Sequence, residues 1–238
     1  MKAMILAAGL GTRLKPITDN KPKALVDLAG KSLLEHSIEK LIDAGVNEIV
    51  INVHHFHKMM KEFISNLNYP GIKLHVSDER NRLLDTGGGL WKAKSFFNDG
   101  EAFFLVNVDI VSDINLKEFY KEHLQKQALV TLAVSDRASS RCFLWHDKKL
   151  CGWRNKVSGE EIISFKTPEK PVEYAFSGIH CISPEIFEAY RADGVFSIKE
   201  VYLNLASQHN ITYFKHNHEN WYDAGTIDSL KKAESLFK

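Results

Sequence analysis

Four cations, two glycines and two prolines crowd into residues 9–23, Gly-Leu-Gly-Thr-Arg-Leu-Lys-Pro-Ile-Thr-Asp-Asn-Lys-Pro-Lys. Gly9 and Gly11 can turn the chain and let backbone N–H groups approach an anion closely. Arg13, Lys15, Lys21 and Lys23 bring positive charge to the same place, and Pro16 and Pro22 restrict it. A glycine turn of this kind, lined with cations, has the chemistry of a polyphosphate site. The spacing is not the dinucleotide-binding G-x-G-x-x-G, because Leu14 occupies the third glycine position. Nor is it a P-loop, since no Gly-Lys-Ser/Thr follows. A glycine turn with solvated charges is the plainer reading of the same residues.

Two carboxylates are candidates to work with that loop. Asp109 follows the apolar run Ala102–Val108, so it sits at the carboxyl edge of a predicted buried strand, well placed to hold Mg²⁺; an aspartate there also forms turns. Asp223 comes just before Gly225 and Thr226, where a carboxylate also interacts with a helix dipole. Asn107 shares a strand end with Asp109. Thr86-Gly87-Gly88-Gly89 removes three side chains in a row, so that a flat base or ribose can lie against backbone. A tight strand-to-helix turn would use the same residues.

Together with Pro16, Thr18, Pro22 and Lys23, the run Gly9-Leu10-Gly11-Thr12-Arg13-Leu14 resembles the signature of the sugar-1-phosphate nucleotidyltransferases. Thr86–Gly89, Asn107-Val108-Asp109, Phe176-Ser177-Gly178-Ile179 and Trp221–Thr226 recur in the family's order, with Val108 where the family usually has glycine. The resemblance covers most of the chain. It implies the nucleotide-diphospho-sugar transferase fold, Mg²⁺ as cofactor, and an NTP and a sugar-1-phosphate as substrates. Carried over, it makes Arg13 and Lys23 the catalytic cations. Arg13 serves the β- and γ-phosphates, and Lys23 bridges the α-phosphate and the sugar phosphate. Gly11 and Thr12 hold the triphosphate through their backbone, while Leu6, Ala7, Ala8 and Gly9 surround the base and ribose with Gly87 and Gly88. Asp109 and Asp223 hold the metal, and Asn107, Glu173, Ser177 and Gly178 face the sugar.

Within the family, the short chain and the Thr-Gly-Gly-Gly run look most like the members that join UTP to N-acetylmuramate-1-phosphate. Members using GTP with mannose- or heptose-1-phosphate are the alternative, and some relatives take phosphocholine with CTP. A module that binds a sugar nucleotide without turning it over is the reading outside the enzymes, and Val108 is the only residue that speaks for it.

For these segments to meet, the chain must return its strand ends to one edge. Residues 3–7, 48–53, 72–76 and 102–108 read as strands, and 32–44, 56–67 and 89–97 as helices. Leu34, Ile38, Leu41 and Ile42 mark one helical face, Ser32 and Glu35 a capping box, and Gly45 a helix stop. Such alternation predicts an α/β fold with a mostly parallel central sheet and helices on both faces. After residue 128 the texture changes to short strands at 130–134, 142–145, 150–153 and 162–165, a long one at 172–182 and a late one at 211–214. Ser183-Pro184 reads as a helix start, and Thr226 as the cap of a terminal helix. The expectation is one domain, with a nucleotide-binding half over about 1–127 and a smaller strand-rich sugar-binding half over about 128–238.

Composition excludes other classes. Among 238 residues, 31 Lys and Arg balance 30 Asp and Glu, so the net charge of +1 offers no field to hold a nucleic acid. No apolar stretch approaches the roughly 20 residues of a membrane helix, so neither nucleic acid nor membrane is expected as a partner. The three cysteines, at 142, 151 and 181, have no C-x-x-C spacing and imply buried thiols in a reducing compartment, the cytoplasm by default. The clusters His54-His55-Phe56-His57 and His216-Asn217-His218 lack the Cys or Glu partners of a zinc site. Monomer and homo-oligomer are both compatible with the sequence.

Overall fold

The computed structural model describes residues 1–237. The first half runs β1 (Lys2–Leu6), a short hairpin of β2 (Asp27–Leu28) and β3 (Lys31–Ser32), α1 (Leu33–Asp43), β4 (Glu48–Val53) and α2 (His57–Asn66). It continues through β5 (Lys73–Asp78), α3 (Asp85–Lys92), β6 (Phe103–Asn107), β7 (Ile110–Ser112) and α4 (Leu116–Gln125). The second half adds β8 (Val130–Ser135), β9 (Arg141–His146), β10 (Lys149–Asn155), β11 (Glu161–Ile163) and β12 (Val172–Ile182). It ends with α5 (Ile186–Ala189), α6 (Ile198–Leu205), β13 (Ile211–Lys215), β14 (Trp221–Asp223) and α7 (Ile227–Ala233).

One ten-stranded sheet carries both halves. Its central run β6–β1–β4–β5 is parallel. Strand β12 then pairs antiparallel with β6, β8 and β9, so the second half continues the first sheet rather than forming its own. Pleat alternation divides each central strand between two cores. Ala3 and Ile5 of β1 and Phe104 and Val106 of β6 face a layer built by α1, α2, α4 and α7. Met4, Phe103 and Leu105 face the opposite layer, built by α3, α5 and α6. Burial on both faces is why these strands read as continuous apolar runs.

Helix α1 starts where its capping box places it: Ser32 Oγ accepts from the Glu35 N–H at 3.1 Å, and Glu35 accepts from the Ser32 N–H at 2.8 Å. Thr226 caps α7 in the same way. Two helices lie outside the predicted set. Asn115 caps α4, which buries Leu116, Phe119 and His123, and Ser197 caps α6, which buries Val201, Tyr202 and Leu205. Ser183 is not a cap. Its hydroxyl donates to the Ala128 carbonyl at 2.8 Å and lies 3.1 Å from His123 Nε2, and α5 begins later, at Ile186. The cysteines are buried free thiols. Among the described residues, no helix is long and apolar enough to cross a membrane.

Candidate active site

Three parallel strands stop level with one another. Leu6 pairs in register with Asn52 of β4 on one side and with Asn107 of β6 on the other. Open α/β sheets bind ligands beyond such carboxyl ends. Here a cavity of about 490 Å³ opens, walled by Leu6, Ala7, Ala8 and Gly9, by Asn107 to Asp109, and by Leu83, Asp85, Thr86 and Val195 from across the cleft. Asn52 fixes its floor. Its Oδ1 accepts from the N–H groups of Ala7 at 2.6 Å and Ala8 at 3.2 Å, and its Nδ2 donates to Glu79 Oε1 at 2.8 Å. The other Glu79 oxygen accepts from the Leu84 N–H at 3.2 Å. This buried chain ties the glycine loop to the segment that leads into α3, and its polar atoms repay their burial only as a connected set. Sequence reasoning missed both residues. The available signal was a lone Asn inside an otherwise apolar strand.

The predicted cations and carboxylates converge at the cavity mouth. Lys23 Nζ contacts Asp109 Oδ2, with both side chains largely buried. Arg13 lies 3.4 Å from Asp223 Oδ2 on the open side. Antiparallel pairing of β7 with β14, and a 2.8 Å hydrogen bond from the Ala224 N–H to the Asp109 carbonyl, bring the two aspartates together from opposite parts of the chain. Burial pushes the Asp109 carboxyl up, against the ammonium of Lys23, and the neighbouring Asp223 raises it further. Burial acts on Asp223 too, but the Asp109 carboxyl group, Arg13, Lys23 and the Gly225 N–H together hold it below the usual carboxylate range. Gly11 and Thr12 form the turn that carries Arg13, where the Gly11 carbonyl accepts from Thr18 Oγ1 at 2.8 Å.

Val108 fits its position. It is not among the residues with positive φ, and its side chain is buried. Glycine is therefore not required there, and the feature that spoke for a non-catalytic module loses its force.

Several predicted site residues lie away from this cavity. Gly87 and Gly88 lie inside α3 and not on the cavity wall, because the helix starts earlier, at Asp85. Both of their N–H groups donate to the Phe196 carbonyl, at 3.0 and 3.2 Å. A Cβ on Gly88 would stand 2.2 Å from the Gly194 carbonyl oxygen, so these glycines allow a close helix–loop approach. Glu173 is turned into ion pairs with Arg154 and Lys156, the latter at 2.8 Å. Ser177 is buried, its hydroxyl 2.7 Å from His216 Nε2. Gly178 takes φ 77° and leaves room for Ile110, whose Cγ1 would be 2.4 Å from a Cβ there. Of the four predicted sugar contacts, Asn107 lines this cavity and the other three do not.

Asn107 and Thr86 also border a second cavity of about 510 Å³, walled by β9, β10, β12 and α6. Its side chains include Arg137, Arg141, Glu160, Trp153 and Lys199. Arg137 donates to the Phe176 carbonyl at 2.7 Å and stacks 4.0 Å from the Trp221 ring centre. At the floor, the Tyr202 hydroxyl is 2.8 Å from His180 Nδ1, and burial lowers the His180 pKa to about 3, so the ring is neutral. A third, open cleft joins Arg13 and Asp223 to Arg137 and Arg141.

The nucleotidyl transferase family profile matches residues 2–238. The chain belongs to that family. This transferase is 32% identical over 213 residues to an N-acetylmuramate alpha-1-phosphate uridylyltransferase of Caulobacter vibrioides, covering 86% of the chain and 84% of the relative. It is 30% identical to the mannose-1-phosphate guanylyltransferase catalytic subunit beta of Dictyostelium discoideum, over 100% of the chain but only 64% of that subunit. The crystal structure of HddC from Yersinia pseudotuberculosis complexed with GMP-PN superposes with a TM-score of 0.76 at 24% identity, covering 100% and 99% of the two chains. That likeness establishes the nucleotide-diphospho-sugar transferase fold for this transferase.

Proposed function

We propose that this transferase joins an NTP to a sugar-1-phosphate, forming an NDP-sugar and pyrophosphate, with UTP and N-acetylmuramate-1-phosphate as the substrate pair. The observation that carries the reading is the meeting of Arg13, Lys23, Asp109 and Asp223 at the mouth of one cavity, with Asn107 and Thr86 opening onto a second. The nucleotide occupies the cavity walled by Leu6–Gly9, and the sugar the one walled by β9, β10 and α6. A phosphate oxygen of the sugar-1-phosphate attacks the α-phosphorus, the bond to the β-phosphate breaks, and pyrophosphate leaves. The nucleophile is already anionic, so no side-chain base is required, and positioning with charge neutralisation is the catalysis. Lys23 serves the α-phosphate and the incoming phosphate between the cavities. Arg13, at the open side, neutralises the departing pyrophosphate.

Asp109 and Asp223 suit Mg²⁺. They form an oxygen-only pair, and no group of three or more His, Cys, Asp and Glu side chains converges among the described residues. Mg²⁺ is commonly held by one or two carboxylates, with substrate phosphates and water completing its shell. Bound there, it would neutralise charge on the phosphates.

The relative named for the uridylyl reaction is 32% identical, against 30% for the guanylyltransferase subunit, and it supports the first pair. The test is a pyrophosphate-release screen of ATP, CTP, GTP, UTP and dTTP against a panel of sugar-1-phosphates, with Mg²⁺ and then with EDTA. Release confined to UTP with N-acetylmuramate-1-phosphate, and abolished by EDTA, is the expected result. Release with GTP and mannose- or heptose-1-phosphate would replace the substrate pair and keep the reaction.

A further inference from the structure

The second cavity carries more positive charge than a sugar phosphate alone requires. Arg137, Arg141 and Lys199 line it against a single carboxylate, Glu160. None of the three cations has an ion-pair partner among the described residues, although most other clustered cations, such as Lys23, Arg154 and Lys156, do. They divide by position. Arg137 and Arg141 also line the cleft shared with Arg13 and Asp223, so they stand at the end where phosphate chemistry occurs. Lys199 does not line that cleft. It belongs to the α6 wall, where Thr86 Oγ1 accepts from the Ile198 N–H at 3.0 Å, and its ammonium lies 3.7 Å from the centre of the Trp153 ring.

No carboxylate among the described residues forms an ion pair with Lys199. It occupies the first turn of α6, where the helix dipole disfavours a cation. The indole face of Trp153 holds it in place but supplies only a weak attraction. A neutral sugar would cover this ammonium with hydroxyls alone, while a carboxylate on the sugar would supply a charge-assisted hydrogen bond.

We propose that Lys199, braced on Trp153, is a specificity-determining residue that reads a carboxylate on the body of the acceptor sugar, separate from the phosphate handled by Lys23 and Arg137. The acceptor class is thus an acidic sugar-1-phosphate. This deepens the reading given above and rests on its assignment of the second cavity to the sugar. N-acetylmuramate-1-phosphate carries such a group in its lactyl ether, and N-acetylglucosamine-1-phosphate is the same sugar without it.

The experiment compares these two acceptors with the intact protein and with Lys199→Met and Lys199→Arg. One readout is kcat/KM with UTP. The other is direct acceptor binding followed by tryptophan fluorescence, which needs no turnover. The wild-type protein should prefer the carboxylated acceptor. Lys199→Met should reduce that preference about ten- to a hundredfold, mostly through KM, because a hydrogen bond to a charged group is lost. Lys199→Arg should restore much of it. Equal losses for both acceptors in Lys199→Met, or no preference in the wild-type protein by either readout, would overturn the proposal. Turnover with UTP and neutral sugar phosphates alone would sink it while sparing the nucleotidyl transfer. Preferential binding of the acidic sugar with a different NTP as donor would instead keep the Lys199 assignment and reject UTP.

Discussion

The two cavities that share Asn107 and Thr86 are built by opposite means. The first opens at the level ends of parallel strands beside a glycine loop, and that loop is pinned by one buried asparagine and one buried glutamate. The second is walled by side chains from antiparallel strands and α6, with aromatic rings and three unpaired cations. A glycine loop presents backbone N–H groups whatever the neighbouring side chains, so it suits a part every substrate shares. A side-chain wall changes with each substitution, so it is where one acceptor is told from another. Val108 sits at this strand end with no positive φ and with its side chain buried, so the position does not need a glycine.

The contrast is broken most severely at the shared mouth. Asp109→Asn or Asp223→Asn should lower kcat by about two or more orders of magnitude with the fold intact, since charge that stabilises the transferring phosphate is lost. Steady-state pyrophosphate release across a Mg²⁺ titration, with circular dichroism as the folding control, measures this. Near-normal kcat at limiting Mg²⁺ would place the chemistry elsewhere.

Acid should separate the halves next. His123, packed between Thr131 and Ser183, is held neutral by burial, with a pKa lowered to about 4. The unfolded chain protonates this ring near pH 6.5, while the folded chain resists until about 4. The folded state is therefore at full stability above 6.5 and loses it as the pH falls toward 4, by on the order of 3 kcal/mol for this group. His180 acts in the same direction. Both pack against the second half, so hydrogen exchange on lowering the pH should loosen β8 and β12 before β1 and β4. His123→Gln should flatten the pH dependence of Tm, and an unchanged slope would count against this burial.

The smallest effect is expected at Glu173. Its carboxylate is engaged by Arg154 and Lys156 on a partly exposed sheet surface, so Glu173→Ala should cost about 1 kcal/mol of stability or less. Acceptor kcat/KM should change less than about twofold, which is within the range of a side chain that touches no substrate. A large rise in acceptor KM would return Glu173 to the sugar site and enlarge the second cavity's reading set.

Much of the first half could be read from contiguous residues. The capping box at Ser32 and Glu35, the buried run before Asp109 and the cation-rich loop at 9–23 each lie within a few turns of chain, and local chemistry acts over that range. The pairing of Asp109 with Asp223 was legible only through the resemblance of their two segments to the family, since they lie far apart in the chain. What escaped was orientation. Gly87 and Gly88 looked like a surface for a base, and only the packing of α3 against residues 194–196 showed that they face the protein. Ser177 looked like a sugar contact, and the bulge in β12 between Phe176 and His180 helps turn it inward, to His216. There a step of four residues in β12 opposes a step of two in β8, so the regular pairing is interrupted at Ser177. Periodicity thus pointed to the α/β class, and the glycine and cation spacing to a candidate phosphate loop, because both are written in neighbouring residues. Which side chains line the second cavity, Lys199 among them, was decided by the folding of β9, β10 and α6 against one another, because a wall made from distant segments exists only once their register and crossing are in place.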